Sequence, residues 1–295
     1  MPSPSPHKSF LLINPLSGSH SRALHDEILS SLQGVGIFPA CLTVTGPVDA
    51  CRVCAEIEAA SENPLVIVAG GDGTVNAVVN ALTPGRATLA ILPLGTANVL
   101  ALELGITTVA DGIARIARGA TRPLAVGLAE GEGGVGRRFL LMAGIGLDGD
   151  IVRGVRMWEK RLFGKSAYLL SALRCLLAWR RGRFSLLADG CAVECHSVVI
   201  CNAARYGGNR ILVTGADISE ALLDLFCITA DSRWSYLRII SSILAGRPCR
   251  SGDVTLLRAG QVEVGGDRAI QLDGDYLGQA PVRVSTIAGF ARIIA

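Results

Sequence analysis

The run LVIVAGGDGTVNAVVNAL, residues 65–82, opens with five continuously apolar residues, the pattern of a strand buried on both faces. Gly70, Gly71, Asp72, Gly73 and Thr74 follow, and from Val75 to Leu82 the apolar residues return at helical spacing. A glycine-rich turn between such a strand and a helix lets backbone N–H groups point at a phosphate, at the positive end of the helix. Gly70, Gly71 and Gly73 allow positive φ and close approach. Asp72 sets a carboxylate where it could bind Mg²⁺ or orient a hydroxyl, and Thr74 can cap the helix or bond a phosphate. Taken alone, the run reads equally well as an ordinary tight turn, since these residues favour turns everywhere.

The flanking sequence decides between the two. Upstream, Ser9 to Asn14 is a short apolar strand closed by Pro15 and Gly18, Ser21 to Leu32 is helical, Phe38 to Val44 strand-like and Val48 to Ala60 helical. Downstream, Ala87 to Leu92 is a strand running into Pro93-Leu94-Gly95-Thr96-Ala97-Asn98, and Val99 to Leu104 and Val109 to Arg118 are helical. Strands alternating with helices predict a doubly wound parallel sheet with helices on both faces. Three strand ends then carry polar, Gly-containing turns at the carboxyl edge, where open α/β sheets bind ligands.

From Arg122 onward the pattern changes to short strands separated by Gly, Asp and Asn: Phe139 to Ala143, Cys195 to Cys201, Leu223 to Thr229, Val254 to Leu257 and Gln261 to Val264. This half is expected to be antiparallel β, interrupted by helices at about Lys165 to Trp179 and Trp234 to Leu244. The expected division is an α/β domain over 1–122 and a β-rich domain over 123–286, with 287–295 packing back on the first. A chain of 295 residues has room for two cores.

Half of the residues are hydrophobic and 18% are charged, and the mean hydropathy is +0.44. No apolar run reaches the roughly 18 to 20 residues that span a bilayer. The opening MPSPSPHKSFLLINPL lacks a positive n-region and a small-residue cleavage site, so a cytoplasmic protein is expected. Nine cysteines without a framework spacing read as reduced thiols. Cys51 and Cys54 form a C-x-x-C, but inside a helical pattern and with no second pair to complete a metal site. A net charge of +3 argues against nucleic acid as a partner.

Neither a P-loop nor a G-x-G-x-x-G dinucleotide fingerprint is present. The sequence instead resembles the diacylglycerol-kinase catalytic family, particularly the bacterial lipid kinases related to sphingosine and ceramide kinases. The resemblance covers nearly the whole chain: NPLSG at 14–18, GGDGTVNAVVNAL at 70–82, LPLGTANVLALELGI at 92–106, AGIGLDGDIV at 143–152 and LDGDYLG at 272–278. It implies a nucleotide domain like that of phosphofructokinases and NAD kinases and a β-sandwich-like second domain, with lipid bound between them. It further implies transfer of the ATP γ-phosphate to a hydroxyl of diacylglycerol, a sphingoid base or a similar lipid, with Mg²⁺, in phospholipid metabolism. Asn14, Ser17, Gly18, Thr45, Gly70, Gly71, Asp72, Gly73, Thr74, Asn76 and Thr96 would surround ATP, with Thr43 the alternative to Thr45.

In that family a carboxylate of a late D-G-E motif acts as base on the lipid hydroxyl, which points to Asp275 with Asp273 beside it. Asp-Gly is also a hairpin turn signal, and both roles are compatible. Asp72 would organise Mg-ATP, while Asp148 and Asp150 would shape the cleft or support the metal network. Departures from the family pattern are Ala77, Val99 and the shorter Asp275. The loop that holds a structural Mg²⁺ in bacterial relatives reads Asp217-Ile218-Ser219-Glu220-Ala221-Leu222, leaving Glu220 as the candidate ligand. The rival readings are an NAD-kinase-type small-molecule kinase, from the shared GGDGT, and a non-catalytic nucleotide- or lipid-binding relative.

Between Arg153 and Arg183 nine cations stand against Glu159 alone, interleaved with Trp158, Phe163, Tyr168 and Trp179. This stretch reads as a contact with anionic lipid at the inner membrane face. The same pattern also fits an ordinary solvated helix face. The sequence leaves the oligomeric state open, a homodimer included.

Overall fold

The computed structural model describes residues 8–131, 134, 136–156, 166–179, 182–247, 249–250 and 252–295. Strands β1 (Ser9–Ile13), β2 (Ala40–Thr43), β3 (Leu65–Gly70) and β4 (Thr88–Pro93) pair in parallel in the order β2-β1-β3-β4. Helices α1 (Arg22–Gly34), α2 (Pro47–Ala60), α3 (Asp72–Ala81), α4 (Val99–Glu103) and α5 (Val109–Arg118) connect them. Leu12, Val66, Val68, Leu89 and Ile91 enter one buried cluster, and Leu11, Ile13, Ile67, Ala69 and Leu92 another. Both faces of the sheet are covered, which is why its strands read as continuous apolar runs. Helix starts follow local chemistry: Ser21 Oγ accepts the N–H of Leu24 at 3.1 Å, and Pro47 opens α2. Within α2, Cys54 is buried and Cys51 exposed, so the C-x-x-C thiols point apart.

The second half contains β5 (Thr121–Gly131), β6 (Gly136–Phe139), β7 (Met142–Ile145), α6 (Leu147–Gly154), α7 (Ser166–Leu177), β8 (Phe184–Ala188), β9 (Cys191–Cys195) and β10 (Ser197–Cys201). There follow β11 (Arg205–Tyr206), β12 (Arg210–Ile211), β13 (Leu223–Ile228), α8 (Arg233–Leu244), β14 (Val254–Ala259), β15 (Gln261–Val264), β16 (Ala269–Leu272), β17 (Asp275–Gln279) and β18 (Val282–Ile294). An antiparallel sheet of order β14-β13-β10-β7-β16-β17 faces a layer made of β5, β6, β8, β9, β15 and β18. Phe139, Ile145, Leu186, Val198, Leu225 and Val262 fill the space between them. This is the expected β-sandwich-like half.

Strand β18 belongs to both halves. Its first part runs antiparallel to β15 and β5, and after a register shift between Ile287 and Ala291 it lies parallel to β4, with Arg292 opposite Thr88 and Ile293 opposite Leu89. The parallel sheet therefore continues into the sandwich without a gap.

Several elements differ from their sequence-based bounds. The glycine-rich run is itself the start of α3, which begins at Asp72 rather than Val75. The expected strand Phe139 to Ala143 is two strands in different sheets, because the N–H groups of Leu140 and Leu141 leave the ladder for the carboxylate of Asp273. Cys195 to Cys201 likewise divides at His196, where the chain passes from one sheet to the other. Trp158, Glu159, Lys160, Arg161, Phe163, Lys165, Arg180 and Arg181 of the basic stretch lie outside the described residues. Among the described residues no helix is long and apolar enough to cross a membrane.

Candidate active site

Parallel pairing brings the ends of β1, β3 and β4 to one edge, and their loops interlock there. Asn14 Nδ2 donates to Thr74 Oγ1 at 2.8 Å, and Asn14 Oδ1 accepts the N–H of Leu16. The N–H of Ser19 reaches the carbonyl of Leu94 at 3.1 Å. A Cβ on Gly95 would lie 2.5 Å from Cα of Gly71, and one on Gly71 would lie 3.1 Å from Cα of Gly95. The two backbones meet where no side chain fits, and this close approach requires glycine at both positions. A Cβ on Gly73 would meet nothing within 4 Å, so the first turn of α3 opens onto free space.

Asn98, held at φ +48°, closes its own loop by accepting the N–H of Gly95 at 2.8 Å and donating to the carbonyl of Gly95 at 2.7 Å. Asp72 spans the loops: its two oxygens accept the N–H groups of Val99 and Leu100, both at 3.0 Å. It thereby caps α4, a role the sequence reading did not give it. Val99, noted as a departure from the family pattern, takes part in this cap through its backbone, which any residue supplies. Thr45, after β2, is bonded through its N–H and hydroxyl to the Asp49 carboxylate. Ser17, Gly18 and Thr96 sit in the loops after β1 and β4, with Gly18 approaching Thr96.

A second cluster lies at the other end of α3. Asp273, at φ +48°, is half-buried and accepts the N–H groups of Leu140, Leu141 and Met142 at 2.7 to 2.9 Å. Asn76 Nδ2 adds a fourth donor at 2.6 Å. Asn76 also accepts from Asn80, which exchanges hydrogen bonds with the backbone of Arg138, whose guanidinium closes on the carbonyls of Val79 and Leu82 at 2.8 Å. The helix that begins with the glycine run is thus fastened to the turn that carries Asp273 and Asp275.

The two acidic residues of that turn differ in kind. Asp273 has no lone pair directed to solvent and acts as the hub of the turn; burial pushes its carboxyl above the usual range, against the opposing pull of its four donors. Asp275 has a side chain 60% exposed and pairs with Arg137 at 3.1 Å. Of the two, only Asp275 is placed to reach an added hydroxyl. Behind the turn, Asp148 is half-buried and accepts from Tyr206 and, at 2.7 Å, from Gln271 Nε2, while Gln271 Oε1 accepts the N–H of Gly274. Burial pushes the Asp148 carboxyl up as well. Asp150 lines a cavity of about 330 Å³ with Arg153, Cys175, His196 and Arg268.

Glu220, expected as a metal ligand, is ion-paired to Arg258 at 2.9 Å. The same guanidinium bonds Asp224 at 3.3 Å and the carbonyl of Gly215 at 2.8 Å, while Asp217 faces Arg122. An arginine thus stands among the oxygens of this loop. The sequence reading missed Arg258, Arg137, Arg138, Gln271 and Tyr206, none of which lies in a motif, and Asn80, which lies in the 70–82 segment but was given no role. Asp49 carried a signal, being an acidic residue in the first turn of α2.

The profile of the diacylglycerol kinase catalytic domain matches residues 8–129, and that of the YegS C-terminal NAD kinase beta sandwich-like domain matches residues 142–295. The chain is 27% identical over 280 residues to a diacylglycerol kinase of Bacillus subtilis, covering 92% of this chain and 90% of that one. It is 30% identical over 253 residues to a probable lipid kinase YegS-like of Pseudomonas aeruginosa, covering 83% and 80%. Among solved structures it overlays on a diacylglycerol kinase of Bacillus anthracis with a TM-score of 0.78 at 24% identity, covering 98% and 96%.

Proposed function

This chain belongs to the diacylglycerol kinase and YegS-like family of lipid kinases, and we propose that it transfers the γ-phosphate of ATP to a hydroxyl of diacylglycerol, a sphingoid base or a similar lipid. The observation that carries the proposal is the tie from the glycine-run helix to the acidic turn through Asn76 and Asp273. It ties the glycine-run helix to the turn whose exposed carboxylate, Asp275, would meet the acceptor hydroxyl.

In this reading the triphosphate lies against the first turn of α3, where unpaired N–H groups and the helix dipole favour negative charge. Gly73, where an added Cβ would meet nothing within 4 Å, leaves the first turn of α3 open to the close approach of a phosphate. Asn14, Ser17, Gly18, Thr45, Thr74 and Thr96 surround the nucleotide. The oxygen donors here are the kind Mg²⁺ takes, and Asp72 would hold it, since each of its oxygens carries one N–H and keeps a second lone pair. The ion would neutralise charge on the phosphates.

Asp275 accepts the proton of the lipid hydroxyl as phosphoryl transfer proceeds, while Arg137 orients its carboxylate. Asp273 positions the turn. We assign the nucleotide domain to residues 1–122 with the strand at 287–295 packed on it, and the lipid domain to 123–286. The protein works at a membrane surface, because its substrate stays in the bilayer.

The test is incubation with γ-labelled ATP, Mg²⁺ and a micellar panel of diacylglycerol, monoacylglycerol, sphingosine and ceramide, with NAD⁺ in a separate arm. A labelled lipid supports the proposal. Label on NAD⁺ alone, or ATP binding without any product, sinks it.

A further inference from the structure

Helix α8 is apolar on both sides. Its inner face seats Tyr236 and Ile239 in the core, while Trp234, Leu237, Ile240 and Leu244 lie on the outer face, Trp234 68% and Leu244 56% exposed. At 3.6 residues per turn these four fall within about a third of the helix circumference. The water-facing side of a helix is normally polar, and a contiguous exposed apolar stripe marks a contact surface.

The surroundings of the stripe identify what it contacts. A groove of about 490 Å³ beside it is lined by Trp234, Leu237, Arg238, Cys249 and Arg250. Arg233, Arg238, Arg247 and Arg250 rim the helix, against Asp231 and Asp253, and Asp253 is already bonded to Arg238 at 3.1 Å. An apolar stripe carrying a tryptophan, edged by net positive charge, complements the acyl boundary and headgroups of an anionic bilayer.

The stripe is also connected to the acceptor turn. Trp179, beyond the end of α7, donates to the carbonyl of Asp231 at 2.9 Å, stacks on His196 and meets Tyr236 of α8 edge-on. Near the start of α7, Tyr168 donates to the carbonyl of Gly274 at 3.3 Å.

We propose that the outer face of α8 is the surface by which the protein seats on anionic membranes, separate from the basic stretch recognised in the sequence. The choice of a bilayer as occupant rests on the lipid-kinase reading. Leu237 and Leu244 enter the acyl boundary, Trp234 lies at the headgroup level, and the arginines meet lipid phosphates.

The experiment is co-sedimentation of the full chain with phosphatidylcholine vesicles, with and without phosphatidylglycerol, alongside turnover on micelle-dispersed diacylglycerol. Wild type sediments with the anionic vesicles and is released by salt. Leu237→Glu/Leu244→Glu lowers the partition coefficient by at least about tenfold, and Arg233→Ala/Arg247→Ala by about fivefold per arginine, with micellar turnover unchanged. Ser241→Glu places a charge in the same stripe without removing an apolar side chain, and serves if the double variant loses its melting transition. The proposal is overturned if wild type fails to sediment, if all variants sediment equally, or if light scattering finds a dimer that Leu237→Glu/Leu244→Glu splits, since the face would then bind a second copy. Vesicle binding without phosphorylation of any lipid would count against the kinase reading and leave the anchor standing.

Discussion

Asn76 donates a 2.6 Å hydrogen bond to Asp273 across 197 positions of sequence. One end of this bond is on the helix that begins with the glycine run and the other on the turn that carries Asp275. The spacing between that helix and that turn is therefore set by a part-buried side-chain contact rather than by a connecting loop. Asn76→Ala removes one of four donors from a half-buried carboxylate, which costs about 1–3 kcal/mol and lowers turnover. Denaturant unfolding and steady-state kinetics check this; a variant equal to wild type in both would mean that the tie does nothing.

Asp275→Asn is expected to reduce kcat by about 10²–10⁴-fold with the fold intact. Its ion pair with Arg137 is largely exposed and contributes less than about 1 kcal/mol. Unchanged Tm with lost turnover is the predicted signature, and near wild-type kcat would remove Asp275 from the chemistry.

Gly95→Ala sets a Cβ 2.5 Å from Cα of Gly71 and 2.8 Å from Oδ1 of Asn98, so two loops must part. A cost of about 1–3 kcal/mol follows from the overlap. The KM for ATP should rise more than that for lipid if the displaced loops hold the nucleotide as proposed. An equal rise in both would place the damage elsewhere.

The guanidinium of Arg258 stands among the oxygens of Glu220, Asp224 and Gly215, where a divalent ion would otherwise balance the loop. Chelator should leave the wild-type Tm unaltered, whereas Arg258→Ala should melt earlier and regain part of the loss on addition of Mg²⁺. A wild-type Tm that drops in chelator would show that the arginine does not replace a metal.

Asp148 gives a pH dependence whose sign is opposite to that of a salt-bridged carboxylate. Burial holds its folded-state pKa above the ordinary 3.8. Its contribution is fully present below that value, where the carboxyl is neutral in both states, and is lost as pH rises through the raised one. Asp148→Asn, which cannot ionise, should flatten the fall in Tm between acid and neutral pH. A variant whose Tm declines over that range as steeply as wild type would exclude Asp148 as its source.

The parallel sheet was legible because each strand is buried on both faces and so carries an unbroken apolar run, as in Leu65 to Ala69. The glycine-rich turns after β1, β3 and β4 were legible because each closes an apolar run. What the sequence hid depends on distant partners. The break at Leu140 and Leu141 is made by Asp273, more than 130 positions later, and no local pattern announces it. Asp72 as the cap of α4 and Arg258 among the loop oxygens are invisible for the same reason, since each is defined by a neighbour from another element. The outer stripe of α8 was hidden differently. Its helical period was readable, but which of its apolar residues face outward is set by the elements packed against it.

The parallel pairing of β18 with β4 has a consequence for biosynthesis. Arg292 and Ile293 complete the nucleotide-domain sheet beside Thr88 and Leu89, yet a ribosome adding about 5–20 residues per second delivers them some 10 to 40 s later. Throughout that interval the nascent chain carries β4 as an open, apolar sheet edge, the kind of surface that recruits strands from other chains. Newly made protein passes through a window in which its parallel sheet carries an unpaired edge, and the window shuts when β18 pairs with β4.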